Sequence, residues 1–223
     1  MAGRVVVSEE AAVRTIAVLR PEGINARADD LCLAMTKAIE SAQRNPAIRC
    51  IVVAGGFDGF AAGSEAAEHH AVGGAGSEGF LLPSVTGLLH TLASNAKPII
   101  AAVEGAAAGI GTAIVFYCDE VIAATSTTFA SPLESHDLVP DGAMSLLIPR
   151  RLAQHRAFAM LVPGRPMRAE RAYEAGLIDM IVPPGYAAVE AERMAREFCR
   201  PPAGAAEDDR RGPPSEGTAG RSR

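Results

Sequence analysis

The sequence predicts an α/β fold: a largely parallel sheet built from strand–helix–strand units, with helices gathered toward the carboxyl end. Three observations lead there. Apolar runs of strand length recur at 48–54 (interrupted only by Arg49), 99–103 and 121–124, the pattern of strands covered on both faces. Segments with helical spacing of apolar residues lie between them. Repeated units of this kind imply right-handed crossovers and stacked sheets.

The elements follow in order. Val5-Val6-Val7 and Thr15 to Leu19 read as a hairpin of strands, ended by Pro21-Glu22-Gly23. Asp29 or Asp30 is placed to cap a helix with Leu31, Met35, Ala38, Ile39 and Ala42 on one face. Ile48 to Ala54 is a buried strand, and the Gly- and Ala-rich stretch from His69 to Gly79 reads as a mobile region. Phe80 to Ser94 has helical spacing through Val85, Leu88, Leu89 and Leu92, with Pro83 delaying its start. Ile99 to Val103 is the next strand, and Gly109-Ile110-Gly111 opens a buried helix. Val121 to Ala124 and Thr127 to Ala130 return as strands. Beyond Asp141 the pattern turns helical over 143–152, 154–161 and 169–175, the last stopped by Gly176. A short strand over 177–182 and a helix over 186–199 complete it. The predicted organisation is one domain over 1–199, with a core over 1–140 and a helical part over 141–199. Residues 200–223 are rich in Pro, Gly and charge, bury too little apolar surface to offset ordering, and read as a disordered tail.

Composition excludes several function classes. The chain has 223 residues, 48% hydrophobic and 4% aromatic with no Trp, so Ala, Val, Ile and Leu must fill the core. A net charge of -5 argues against a nucleic-acid surface. No apolar stretch reaches bilayer-spanning length, and the first residues lack a secretory pattern. Cys32, Cys50, Cys118 and Cys199 have no CxxC spacing and read as ordinary thiols, with no metal site. A cytoplasmic enzyme without membrane attachment is expected.

Two loops carry the functional signal. Lys97-Pro98-Ile99-Ile100-Ala101-Ala102-Val103-Glu104-Gly105 runs into Ala108-Gly109-Ile110-Gly111-Thr112, an apolar strand leading to a glycine-rich helix start. Upstream, Phe60-Ala61-Ala62-Gly63-Ser64-Glu65 follows another apolar strand. A helix start leaves backbone N–H groups unpaired at its positive end, so it can stabilise an oxyanion. Further matches follow at Arg20-Pro21 through Asn25-Ala26, Phe129-Ala130-Ser131-Pro132, Val139-Pro140-Asp141-Gly142 and Ala175-Gly176-Leu177-Ile178-Asp179. In this order and spacing, over roughly residues 10 to 199, the chain resembles the crotonase superfamily of enoyl-CoA hydratases and isomerases. That resemblance implies a crotonase-like spiral of β-β-α units, which periodicity alone does not reveal. It also implies an acyl-CoA thioester substrate, no separate cofactor because coenzyme A arrives with the substrate, and a homo-trimer or hexamer. Similar proteins usually continue with further C-terminal helices where this sequence turns to its Pro-rich tail.

The resemblance also implies site residues. The backbone N–H groups of Ser64 and Ile110 would form the oxyanion hole. Ile110 stands where the family usually has glycine; its β-branched side chain narrows the pocket and resists positive φ. Ala26, Arg27 and Ala28, with the loop of Ala62, Gly63, Ser64, Glu65, Ala66 and Ala67, match places that hold coenzyme A, and Gly109 and Ile110 adjoin them. A hydratase of this type uses two glutamates around one water. Here Ala113 and Leu133 occupy those places, and Glu134 substitutes only if its loop slips by one residue. Asp141 matches the single carboxylate base of the isomerases, where an apolar pocket would raise its pKa; the same residue suits a helix cap. His69 and His70 read as solvated loop residues, and His136 lies near the expected acyl pocket. Ser64 sits in no G-x-S-x-G elbow, and no Ser/His/Asp set assembles. The alternatives are a non-catalytic acyl-CoA-binding protein and a hydratase working through Glu134 or Glu65.

Overall fold

The computed structural model describes residues 4–19, 28–55, 83–130 and 144–200. Strands β1 (Arg4–Glu10) and β2 (Val13–Leu19) form an antiparallel hairpin with Glu10 opposite Val13. Its two-residue turn, Ala11-Ala12, has φ of 48° and 67°. Left-handed backbone at both central positions matches the right-handed twist of a hairpin but normally selects Asn-Gly. Ala12 O accepts hydrogen bonds from Arg49 N (2.8 Å) and Cys50 N (3.4 Å), so the turn is anchored to the start of the next strand.

That strand, β3 (Cys50–Gly55), lies parallel to β2. β4 (Ile99–Val103), β6 (Glu120–Ala124) and β9 (Met180–Val182) continue the parallel sheet, in the order β1-β2-β3-β4-β6-β9. A second sheet holds β5 (Ala106–Ala108), β7 (Thr128–Ala130) and β8 (Met167–Arg168) in the order β5-β7-β8. The helices are α1 (Ala28–Arg44), α2 (Pro83–Ser94), α3 (Ile110–Tyr117), α4 (Met144–Arg151), α5 (Gln154–Leu161), α6 (Ala169–Glu174) and α7 (Ala187–Phe198).

Strand alternation sorts the core into two clusters. Ile51, Val53, Ile99, Ala101, Val103 and Val121 face one side, where Leu31, Met35 and Ile39 of α1 and Leu88 and Leu92 of α2 cover them. Cys50, Val52, Ile100, Ala102 and Ile122 face the other, against Ala187, Ala191 and Ala195 of α7. These three alanines recur every four residues and are fully buried, so the helix backbone approaches the sheet closely.

Polar groups join the layers. Ile99 N donates to Asp119 Oδ2 (2.8 Å) while Asp119 N donates to Ile99 O (2.8 Å). Val121 and Asp179 repeat the pattern at 2.8 and 2.9 Å. Each aspartate thereby pairs a residue at the start of one strand with the approach to its neighbour. Buried Glu104 accepts from Gly185 N (3.0 Å) and Ala187 N (3.2 Å), capping α7 from across the fold. The sequence motif Ala175-Gly176-Leu177 ends α6: Gly176 has φ 78°, Gly176 N donates to Tyr173 O (3.0 Å) and Leu177 N to Ala172 O (2.9 Å).

The structure corrects several expectations. Asp29 and Asp30 lie inside α1, which already includes Ala28, so neither is its cap. The expected strand over 177–182 shortens to Met180–Val182, because Leu177 and Ile178 are spent in the turn after Gly176. β5 and β8, three and two residues long, were not expected, since so short a stretch carries no periodicity. Residues 201–223 and 56–82 lie outside the described residues, so the expected tail and the Gly- and Ala-rich region are not among the elements above.

Candidate active site

β4 ends at Val103, and the chain passes through β5 to Gly109, which has φ 58° and ψ -122°. Only glycine tolerates that conformation well. It is this residue, and not Ile110, that takes the positive φ. Ile110 is the first residue of α3 and packs its side chain against the main core cluster. The expected conflict between a β-branched side chain and the oxyanion position is therefore resolved by one residue of offset.

Gly109 O accepts from Ala113 N at 3.0 Å, the first hydrogen bond of the helix. The amides of Ile110, Gly111 and Thr112 consequently have no acceptor within α3, and the helix dipole reinforces their positive end. Thr112, fully buried, holds this turn in place: its hydroxyl lies 2.9 Å from Ala107 O and 2.8 Å from Ala130 O, donating its proton between them. Thr127 Oγ1 likewise donates to Val103 O (3.0 Å). The two threonines tie β4, β5 and β7 together around the helix start. Sequence reasoning did not single them out; a hydroxyl amid Gly109-Ile110-Gly111 and Ala113-Ile114-Val115 was the available signal.

Next in the turn is Ala113, 4% exposed, with no group able to transfer a proton. Of the other predicted residues, Ala28 lies within α1. Ala26, Arg27, Ala62, Gly63, Ser64, Glu65, Ala66, Ala67, Glu134 and Asp141 lie outside the described residues, as do His69, His70, Leu133 and His136. Among the described residues no group of three or more His, Cys, Asp or Glu could hold a metal ion.

Gly109→Ala tests the helix start. A Cβ at this φ and ψ costs about 1–3 kcal/mol of backbone strain, relieved by rotating the Ile110 amide away from its present direction. Turnover of an acyl-CoA substrate is expected to fall about tenfold or more, with a smaller change in KM. An unchanged kcat would remove this amide from the site.

Among the described residues, the most displaced carboxyl lies at the opposite end of the sheet. Glu120, at the amino end of β6, is pushed up to about 7 from an ordinary 4.5 by burial, then by the charge and hydrogen bond of Asp179 and the charge of Asp119; Arg151 opposes them. In the parallel strands this is the end away from Gly109, so Glu120 is a structural group. Its folded pKa is raised, so the folded chain keeps a proton that the unfolded chain releases near 4.5. Its contribution is greatest below that pH and is lost as pH rises through about 7. Discounted for solvent contact, the loss is on the order of 1 kcal/mol. Melting temperatures measured at pH 6 and pH 8 should differ less in Glu120→Gln than in the parent; equal differences would contradict this assignment.

The sequence profile of the family described as "Enoyl-CoA hydratase/isomerase" matches residues 8–207. The chain belongs to this family. It is 32% identical over 200 residues to a 1,2-epoxyphenylacetyl-CoA isomerase of Escherichia coli, covering 86% of this chain and 75% of that protein. It is also 32% identical over 178 residues to the enoyl-CoA hydratase EchA19 of Mycobacterium tuberculosis, covering 79% and 67%. The crystal structure of an enoyl-CoA hydratase from Polaromonas sp. JS666 superposes with a TM-score of 0.83 at 27% identity, over 93% of this chain and 81% of the other. The fold is that of the crotonase superfamily. No helix among the described residues is long and apolar enough to cross a membrane.

Proposed function

We propose that this family member processes acyl-CoA thioesters and moves a carbon–carbon double bond along the acyl chain. Asp141 removes a proton from the carbon next to the thioester carbonyl. The electron pair shifts onto the carbonyl oxygen, where the amides of Ile110 and Ser64 hold the resulting enolate. The same proton then returns farther along the chain as the double bond moves. No water is added and nothing is oxidised, so one carboxylate is sufficient.

The observation that carries this reading is the start of α3: three amides without intrahelical acceptors beside a buried Ala113. The helix start offers a donor for an enolate on the Ile110 side, while the first position expected to carry a hydratase glutamate bears a methyl group. The Escherichia coli relative is named as an isomerase of an acyl-CoA whose reacting group is an epoxide, which supports acyl-CoA isomerisation as the reaction class but not the double-bond shift itself. Coenzyme A is held, on this reading, by Ala26 to Ala28 and Ala62 to Ala67 as part of the substrate, with no further cofactor.

Parallel assays of 3-enoyl-CoA conversion and 2-enoyl-CoA hydration test the proposal. Isomerisation without hydration supports it. The name of the Mycobacterium tuberculosis relative favours a second reading, hydration through Glu134. Hydration that survives Asp141→Asn but is lost in Glu134→Gln would establish that reading instead. Coenzyme A binding with neither turnover would make the chain a binding protein.

A further inference from the structure

A groove of about 630 Å³ opens on the side of the molecule formed by α5, the turn after it, β8 and α6. His155, Arg156, Arg165, Arg168 and Arg171 line it, and its lining contains no aspartate or glutamate. Ala159, Met160, Pro166 and Met167 supply the apolar remainder. Such a concentration of guanidinium groups is unexpected on a chain whose net charge is -5.

The fold assembles these charges from separate elements. Gly164 adopts φ 61° and lets the chain reverse after α5, and Arg165 N then donates to Ala159 O (3.1 Å). β8 pairs with β7, Arg168 opposite Thr128, which places Arg168 beside the turn. Arg156 Nη1 donates to Glu174 O (3.1 Å) and Arg171 Nη1 to Glu174 Oε2 (2.8 Å). Among the described residues, Arg165 and Arg168 have no carboxylate partner. Like charges held together in a concave surface repel one another, and an anion with several oxygens relieves that repulsion. Guanidinium forks match phosphate geometry and bind it in pairs of hydrogen bonds. The volume lies within the range of small-molecule sites.

We propose that this groove binds a diphosphate group, as free pyrophosphate or as part of a nucleotide. It is separate from the oxyanion end of α3. Arg168 pairs with Thr128, which is level with Ala106, whereas Gly109 follows the Ala108–Ala130 pair, two strands over and three residues along. Strand spacing and rise put the two roughly 14 Å apart at the backbone. The proposal does not rest on the isomerase reading.

Isothermal titration of the full chain with inorganic pyrophosphate and, separately, ADP tests it at physiological salt. Saturable binding is expected, weakened about tenfold or more in the Arg165→Gln/Arg168→Gln double variant and weakened further by added salt. Both side chains are exposed, so the double variant should melt at the parent temperature. Equal affinity for the two probes assigns the site to the diphosphate alone, and tighter ADP binding assigns it to nucleotides. Absence of saturation for both probes at about 1 mM, a concentration that detects even weak binding, overturns the proposal. So does affinity unchanged by the double substitution, which would place the anion elsewhere.

Discussion

Replacing Asp141 by asparagine is expected to slow 3-enoyl-CoA isomerisation by about 10²–10⁴-fold, the range for loss of a positioned general base. The asparagine amide keeps the size and polarity of the carboxylate but cannot accept the proton from the carbon next to the thioester. KM should change little, because the proposed coenzyme A contacts and oxyanion amides do not involve this side chain. The loss should therefore fall on kcat and on kcat/KM alike. A variant that retains more than about a tenth of parent turnover would assign the base elsewhere. Binding of coenzyme A, measured alongside, separates loss of chemistry from loss of fold.

The largest expected effect on stability comes from Lys97→Met. Lys97 is 6% exposed, and its ammonium donates to Ala42 O (2.7 Å), Asn45 O (2.7 Å) and Ile48 O (2.6 Å). Ala42 lies in the last turn of α1, and Asn45 and Ile48 in the connection to β3. One side chain at the approach to β4 thus satisfies three main-chain acceptors where helix gives way to strand, and its charge complements the negative end of α1. Methionine fills the same space but removes that donor, leaving Ala42 O and Asn45 O only their bonds from Asn45 N (3.2 Å) and Ile48 N (3.1 Å). The cost should be about 3–5 kcal/mol, which lowers the melting temperature by about 10 °C in a chain of this size. A shift of about 2 °C or less would mean that water replaces the ammonium at little cost. Lys97→Arg should recover only part of the loss, because a planar fork cannot direct its donors at three carbonyls as a tetrahedral ammonium does.

Much of the architecture was legible in the residues. Ile99 to Val103 and Gln154 to Leu161 have the bounds that their apolar patterns predict, and Pro83 opens α2 where a missing N–H costs nothing. Gly176 ends α6 through the left-handed turn its position implies. The sequence was silent where conformation depends on distant partners. Ala11-Ala12 forms a turn that alanine disfavours, sustained by strand pairing on one side and by Arg49 and Cys50 amides on the other. β5 and β8 exist because β7 lies between them. Lys97 and Glu104 stood out as parts of a motif, while their work as donor to α1 and cap of α7 required the folded arrangement.

For the candidate site, the ordered glycine motifs in the residues were enough to place a helix start after β4 and to identify the family. Which residue takes the strained conformation, and how the amides are braced, depended on packing: Gly109 turns, Ile110 settles into the core, and Thr112 bridges two strands. The same division explains the arginine groove. Local propensity acts between neighbours in the chain and can be read from them. Positions such as Arg165 and Arg168 acquire a common environment only when Gly164 reverses the chain and β8 joins its sheet. Charge repulsion and hydrogen-bond satisfaction depend on distance in space, which a linear pattern does not encode.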